Sequence, residues 1–103
     1  MPNAVIFSHK ADAQLRSIRR YIAREANASI AERYVRRIVA RCRAIADVPR
    51  GGTPRDDLSP GCRSVPFKGR VTIIYRLDGE QVVIAGVFYG GQDISRHFPA
   101  DPS

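Results

Sequence analysis

Cysteine, histidine and lysine each occur only twice in this 103-residue chain, and that scarcity narrows its chemistry. Cys42 and Cys62 sit in unrelated local patterns, with no CxxC pair and no histidine beside them. Both are expected to be reduced, one in a helix and one near a strand. His9 and His97 lie at opposite ends of the chain, so no metal-ligand spacing is present and no metal or cofactor is expected. Carboxylates form no pair with an evident partner: Asp56-Asp57 falls in a loop, where solvation is the default role. Gly90-Gly91 is followed by neither Lys-Ser/Thr nor a helix, which excludes a phosphate loop. Met1 to Phe7 has no basic segment and only four consecutive apolar residues, so it does not read as a signal peptide. No run approaches the roughly 20 apolar residues of a membrane span. The expectation is a soluble, cytoplasmic protein with no membrane contact.

What is present is arginine. The chain has 17 Lys+Arg against 10 Asp+Glu, a net charge of +7, and all the cations but Lys10 and Lys68 are Arg. The planar guanidinium suits bidentate contact with carboxylate and phosphate, so nucleic acid or an acidic protein segment would be attracted. A 44% hydrophobic content is ordinary for a globular core, and the length fits one domain, residues 1–103.

Hydrophobic spacing organises that domain. Ala4 to Phe7 is compatible with a buried strand. Ala11, Leu15, Ile18 and Ile22 then mark one face of a helix running from about Ser8, a candidate N-cap, to Glu25. Asn27 breaks it, and Ser29-Ile30-Ala31-Glu32 reads as a capping box opening a second helix that Pro49 ends near Val48. Ala31, Tyr34, Val35, Ile38, Cys42 and Ile45 form its apolar face. The short connection implies an antiparallel helical hairpin. Residues 49–61 read as loop. Arg63 to Phe67 alternates, and Pro66 assigns it to an edge or end. Arg70–Leu77 and Glu80–Tyr89 flank Asp78-Gly79, a hairpin signal pairing Leu77 with Glu80, Tyr75 with Val82 and Ile73 with Ile84. On that register Val71, Ile73, Tyr75, Val82, Ile84 and Phe88 face the helices. Ile74, Val83, Ala85, Val87 and Tyr89 lie opposite, either as a partner-binding face or under the folded tail. The fold expected is α+β: an N-terminal strand, a two-helix antiparallel hairpin and a three-stranded antiparallel meander, with the helices on one face of the sheet.

In this order the pattern resembles the ParE/RelE toxin superfamily of type II toxin–antitoxin systems over nearly the whole chain. The resemblance is carried by Ala11-x-x-x-Leu15-x-x-Ile18-x-x-Tyr21-Ile22, Ala31-x-x-Tyr34 and Pro49-Arg50-x-Gly52. Pro60-Gly61-Cys62-Arg63-Ser64, Val71 to Gly79, and Val82 to Asp93 complete it. It implies a RelE/ParE-like fold and one of two activities. RelE-like members are ribosome-dependent mRNA endonucleases that work without metal, using basic side chains and a Tyr near the C-terminus. ParE-like members share the fold but inhibit DNA gyrase and lack that side-chain set. Here Gln92 stands where the nuclease pattern has Arg, Phe98 where it has Tyr, and Thr72 where it has a strand Arg. Phe exchanges no proton and Gln carries no charge for a developing phosphorane.

The ParE-like reading is therefore the expected one: an inhibitor acting by protein contacts, not an enzyme in its own right, with the endonuclease as the alternative. It implies a cognate ParD-like antitoxin with an acidic C-terminal segment, a toxin–antitoxin hetero-oligomer, and gyrase as target. No catalytic residue is assigned. The partner-facing residues expected are Arg70, Arg76, Tyr89, Gln92, Asp93, Arg96 and His97. Arg96, His97, Lys68 and Arg70 keep the nuclease reading open, with His97 as candidate general acid–base group. Arg33, Arg36 and Arg37 form a stripe that could touch phosphate. Direct nucleic-acid binding is nevertheless not expected, because no recognition helix is apparent and few aromatics are exposed to stack bases.

Overall fold

The structure is a computed structural model and describes residues 4–98. Its elements are β1 (Ala4–Phe7), α1 (His9–Glu25), α2 (Ala28–Ala44), a 3-10 turn (Ile45–Asp47), β2 (Thr53–Pro54), β3 (Arg63–Phe67), β4 (Val71–Asp78), β5 (Gln81–Tyr89) and a second 3-10 turn (Ile94–His97). The strands form one mixed sheet in the order β1-β5-β4-β3-β2. β1 runs parallel to β5, and the other neighbours are antiparallel. The expected α+β class holds, but the sheet has five strands, not a three-stranded meander beside an N-terminal strand. Thr53 and Pro54, read as loop, pair with Ser64 and Arg63 to make a two-residue edge. Beyond those residues β3 is itself the edge, and Pro66, which has no N–H to give a ladder, sits in that uncovered part.

α1 begins where the sequence places it. The Ser8 hydroxyl accepts a hydrogen bond from Ala11 N at 3.1 Å, and Ala11, Leu15, Ile18 and Ile22 are the buried residues. α2 begins earlier than the capping box suggests. Asn27 Oδ1 accepts from Ile30 N at 2.9 Å and is the N-cap. Ser29 therefore lies inside the first turn and Glu32 just beyond it, where Glu32 instead pairs with Arg19 of α1 at 3.4 Å. An Asn placed one turn ahead of the apolar periodicity competes well with Ser for the free amides. The helix is continued to Asp47 by the 3-10 turn, just short of Val48 and Pro49.

The β4–β5 hairpin closes on Asp78 and Gln81, with Gly79-Glu80 as the two central residues. Gly79 has φ 61°, the left-handed region that the first position of a type II′ turn requires. The expected register is thereby displaced: Leu77 faces Val82, Tyr75 faces Ile84 and Ile73 faces Val87. A β-bulge then leaves Ala85 without an opposite number, since Ile74 pairs with Gly86. The bulge is held from α1: Ser8 donates from its N to Ile84 O at 3.0 Å and from its hydroxyl to Ala85 O at 3.3 Å, while Gln14 Oε1 accepts from Val87 N at 2.7 Å. One extra residue reverses the faces of everything after it. Val87 and Tyr89 therefore turn toward the helices, and Phe88, expected in the helix-side core, turns away. Gly86 makes room for this, because a Cβ there would lie 2.5 Å from the Phe88 ring.

The helix-side core runs from Ala11, Leu15, Val35, Ile38 and Cys42 to Val71, Ile73, Tyr75, Val82, Ile84 and Val87. The buried Tyr75 hydroxyl donates to Pro49 O at 2.7 Å and accepts from Gly52 N at 3.1 Å. Arg63 adds bonds to Arg50 O and Gly52 O. These bonds give Pro49-Arg50-x-Gly52 its structural meaning, and a Cβ at Gly52 would meet the Tyr75 oxygen at 2.7 Å. On the other face Ile74 and Phe88 are covered by Leu58 and Cys62 of the 55–62 loop and by Ile94 and Phe98 of the C-terminal segment. The centre of that face is thus closed by the chain itself. Cys42 and Cys62 are both free and lie on opposite faces of the sheet.

Candidate partner-binding surface

The last strand carries Tyr89 to the rim of the helical hairpin. There Tyr89 stacks at a tilt on Tyr21 of α1, ring centroids 5.6 Å apart, and meets Tyr34 of α2 edge-on at 6.2 Å. Tyr34 also meets Phe67 at 5.6 Å, and Lys68 Nζ lies 5.9 Å from that ring. Burial pushes the Tyr34 hydroxyl above its ordinary pKa and Tyr89 adds to this, against a smaller opposing pull from the Arg70 guanidinium. Arg70 thus belongs to the same end of the molecule, where its carbonyl accepts from Gly90 N at 2.8 Å. Gly90, at φ 77°, turns the chain out of the sheet.

The segment after the turn is short and locally tied. Gln92 Nε2 donates to Tyr89 O at 3.1 Å, and Ser95 Oγ donates to Asp93 Oδ1 at 2.6 Å. This fixes the 3-10 turn that holds Arg96 and His97 out to solvent. The His97 ring rests on Phe88 at 5.0 Å, its carbonyl accepts from Lys10 Nζ at 3.2 Å, and the same ammonium lies 5.6 Å from the Phe98 ring. The start of α1 and the end of the chain are stapled through one lysine. Between them a hollow of about 310 Å³ is lined by Gln14, Ser17, Tyr21, Tyr89, Gln92 and His97. A second, of about 470 Å³, lies among Gln92, Asp93, Arg96 and His97.

Six of the seven residues singled out in the sequence therefore come together: Arg70, Tyr89, Gln92, Asp93, Arg96 and His97. Arg76 does not. It pairs with Val83 in the body of the hairpin and projects, exposed, from the face opposite the helices, near Cys62. Tyr21 and Gln14 were missed. Tyr21 is 42% exposed beside the buried stripe of α1, and its position next to the apolar face was the available signal. Nothing in the sequence shows that Gln14 reaches across to β5.

The surface offers cations, amides, hydroxyls and aromatic rings, which is the make-up of a contact surface. Its acid–base groups are His97, with Arg96 beside it, the Asp93 carboxylate that accepts from Ser95 Oγ, and the tyrosine hydroxyls. Phe98 is half-buried, 6.3 Å from the Phe88 ring, and Thr72 lies opposite Phe88 on β4. Among the described residues no three His, Cys, Asp or Glu side chains cluster as a metal site, and no helix is long and apolar enough to cross a membrane.

Residues 5–94 match the family described as the ParE toxin of the type II toxin–antitoxin system, parDE. The chain belongs to the ParE toxin family. Its fold is that of the chromosomal ParDE toxin–antitoxin system from P. aeruginosa, with a TM-score of 0.76 at 20% identity over 86% of this chain and 97% of that one. The toxin–antitoxin complex RelBE2 from Mycobacterium tuberculosis is also similar, with a TM-score of 0.65 at 24% identity over 86% and 99% of the two chains. No curated protein matches the chain in sequence.

Proposed function

We propose that this ParE-family toxin inhibits DNA gyrase through protein contacts made by the surface around Tyr89, Gln92, Asp93, Arg96, His97 and Arg70. The observation that carries the reading is Phe98, packed against Phe88, which the sequence resemblance aligns with the tyrosine of the ribonuclease members. With Gln92 beside it, the surface lacks the terminal tyrosine and the additional arginine that the resemblance assigns to phosphodiester cleavage. Arg76, on the far side, belongs to a separate contact or to none. Purified toxin is expected to block supercoiling of relaxed plasmid by gyrase, and replacing Arg96 and His97 together by Ala is expected to weaken the block. Normal supercoiling at saturating toxin overturns the proposal.

The cognate antitoxin is of ParD type and neutralises the toxin in the cytoplasm. Its acidic C-terminal segment folds on binding, with an amphipathic helix against the helical hairpin. Tyr21 and Ile30, 42% and 43% exposed, are the apolar anchors offered by the two helices themselves. The second reading, a ribosome-dependent mRNA endonuclease, is favoured by the exposed Arg96-His97 pair. It predicts cleavage of translated mRNA that is lost on His97→Ala.

A further inference from the structure

The net charge of the chain is not evenly spread. Residues 8–48, the helical hairpin, hold ten Lys/Arg against four Asp/Glu, whereas residues 49–103 hold seven against six. Each helix carries five Lys/Arg, and those of α2 share the helix with a single carboxylate, Glu32. Arg33, Arg36, Arg37 and Arg43 are exposed there around an open hollow of about 440 Å³ floored by Val39 and Ala40. None of the four has a carboxylate partner among the described residues. The helix's Glu32 is engaged by Arg19, and the other ion pair, Arg55 with Asp57, is in a loop. Like charges three and four residues apart on a helix repel, so this face carries an unfavourable field that nothing in the described chain relieves. We propose that it binds the phosphate backbone of duplex DNA, independently of base sequence and of the surface around Tyr89.

An acidic protein helix would answer the same charge, but it would also need an apolar seam to pack on. The apolar lining of this hollow comes from the half-buried Val39, the methyl of Ala40 and the methylene stems of the arginines, and the hairpin's exposed large apolar side chains, Tyr21, Ile30 and Val48, do not line it. The spacing suits a polyphosphate. The ten helical steps from Arg33 to Arg43 span about 15 Å at 1.5 Å per residue. That length covers about four phosphate steps of one strand at 3.4 Å each. Arginine forks fit phosphate oxygens bidentately, and Arg43 is steadied on the Phe7 ring at 5.8 Å. Backbone contact needs neither a recognition helix nor stacking aromatics, the two features whose absence spoke against nucleic acid in the sequence. Such a contact would hold the toxin on DNA, where a DNA-acting target is found, but it does not depend on that target being gyrase.

Fluorescence anisotropy of a short labelled duplex of arbitrary sequence, titrated with the full chain in the absence of gyrase, tests this. Four phosphate contacts predict a slope of log K against log salt of about −3.6, or roughly a hundredfold loss of affinity between 50 and 200 mM salt. Arg36→Gln with Arg37→Gln should halve that slope, and Arg36→Lys with Arg37→Lys should restore most of it. Arg70→Gln with Arg76→Gln, which removes the same charge elsewhere, should leave the slope near its original value. Equal loss in both charge-removing pairs would mean bulk charge alone and overturns the site. Absence of binding at 50 mM salt, or displacement of the duplex by polyglutamate of equal charge at equal concentration, overturns it as well. The latter result would reassign the face to an acidic protein segment. Because gyrase is absent, supercoiling inhibition can fail or succeed without bearing on the result.

Discussion

The face of the sheet beneath α1 and α2 shelters seventeen buried side chains, drawn from both helices, the 3-10 turn after α2 and three strands. The opposite face shelters four, under an irregular loop and the turn at the chain's end. The first core is closed by elements whose backbone bonds are internal and whose apolar stripes have helical spacing. The second is closed by segments tied through a few exposed side-chain bonds: the Arg55–Asp57 pair, Asp56 accepting from Gly61 N, and Lys10 reaching the His97 carbonyl. Stability therefore resides on the helix side, and the residues proposed to meet partners ride on the more lightly fastened end.

The strongest way to break this contrast is to cut equally deep on both sides. Ile38→Ala, from a fully buried position under α2, should cost about 3–5 kcal/mol by denaturant unfolding, while Leu58→Ala, in a loop that can collapse into the gap, should cost about 2. A larger loss at Leu58 would invert the assignment of the two cores. Tyr75→Phe keeps the ring but leaves Gly52 N and Pro49 O without their hydroxyl, at an expected cost of about 1–3 kcal/mol. No measurable loss would mean that the 49–52 loop is held by Arg63 alone.

The two thiols sharpen the comparison further. Burial pushes Cys42 from an ordinary 9.0 up to about 12, against a weaker pull from Arg41 and Arg43, and it raises Cys62 too. A raised thiol stabilises the fold fully below its unfolded value, and that contribution is lost as pH climbs from 9 toward 12. Stability should then fall above pH 9 by up to about 1.4 kcal/mol per pH unit more in the native chain than in Cys42→Ala. In a native-state thiol-labelling experiment Cys62 should react about tenfold faster than Cys42, because the loop above it opens without global unfolding. Equal rates would show that both faces open together. The smallest effect is expected at Arg55→Gln, within about 0.5 kcal/mol, since an exposed ion pair contributes little.

Both helices, their buried stripes and the existence of the β4–β5 hairpin were legible because local spacing and turn chemistry encode them directly. The clustering of Tyr89 through His97 with Arg70 was likewise foreseeable, since those residues flank adjacent strand ends. Three things were not. The turn closed one residue later than Asp78-Gly79 suggests, because Gly79 served as first central residue. Asn27 took the cap from Ser29. The bulge at Ala85 moved Phe88 to the other face, and it depends on Ser8 and Gln14 reaching β5 across more than seventy residues of sequence.

By itself the sequence determined the α+β pattern, the family resemblance and the presence of Gln92 and Phe98 where that resemblance expects a nuclease's Arg and Tyr, since these are properties of residues in order. Only the tertiary structure decided which side of β5 meets the helices, that β1 joins the sheet parallel to β5, and that Arg76 stands apart from Arg70. It also gathered the unpaired arginines of α2 around one hollow. Face and neighbourhood depend on register, and register here was set by contacts between distant segments that no local pattern records.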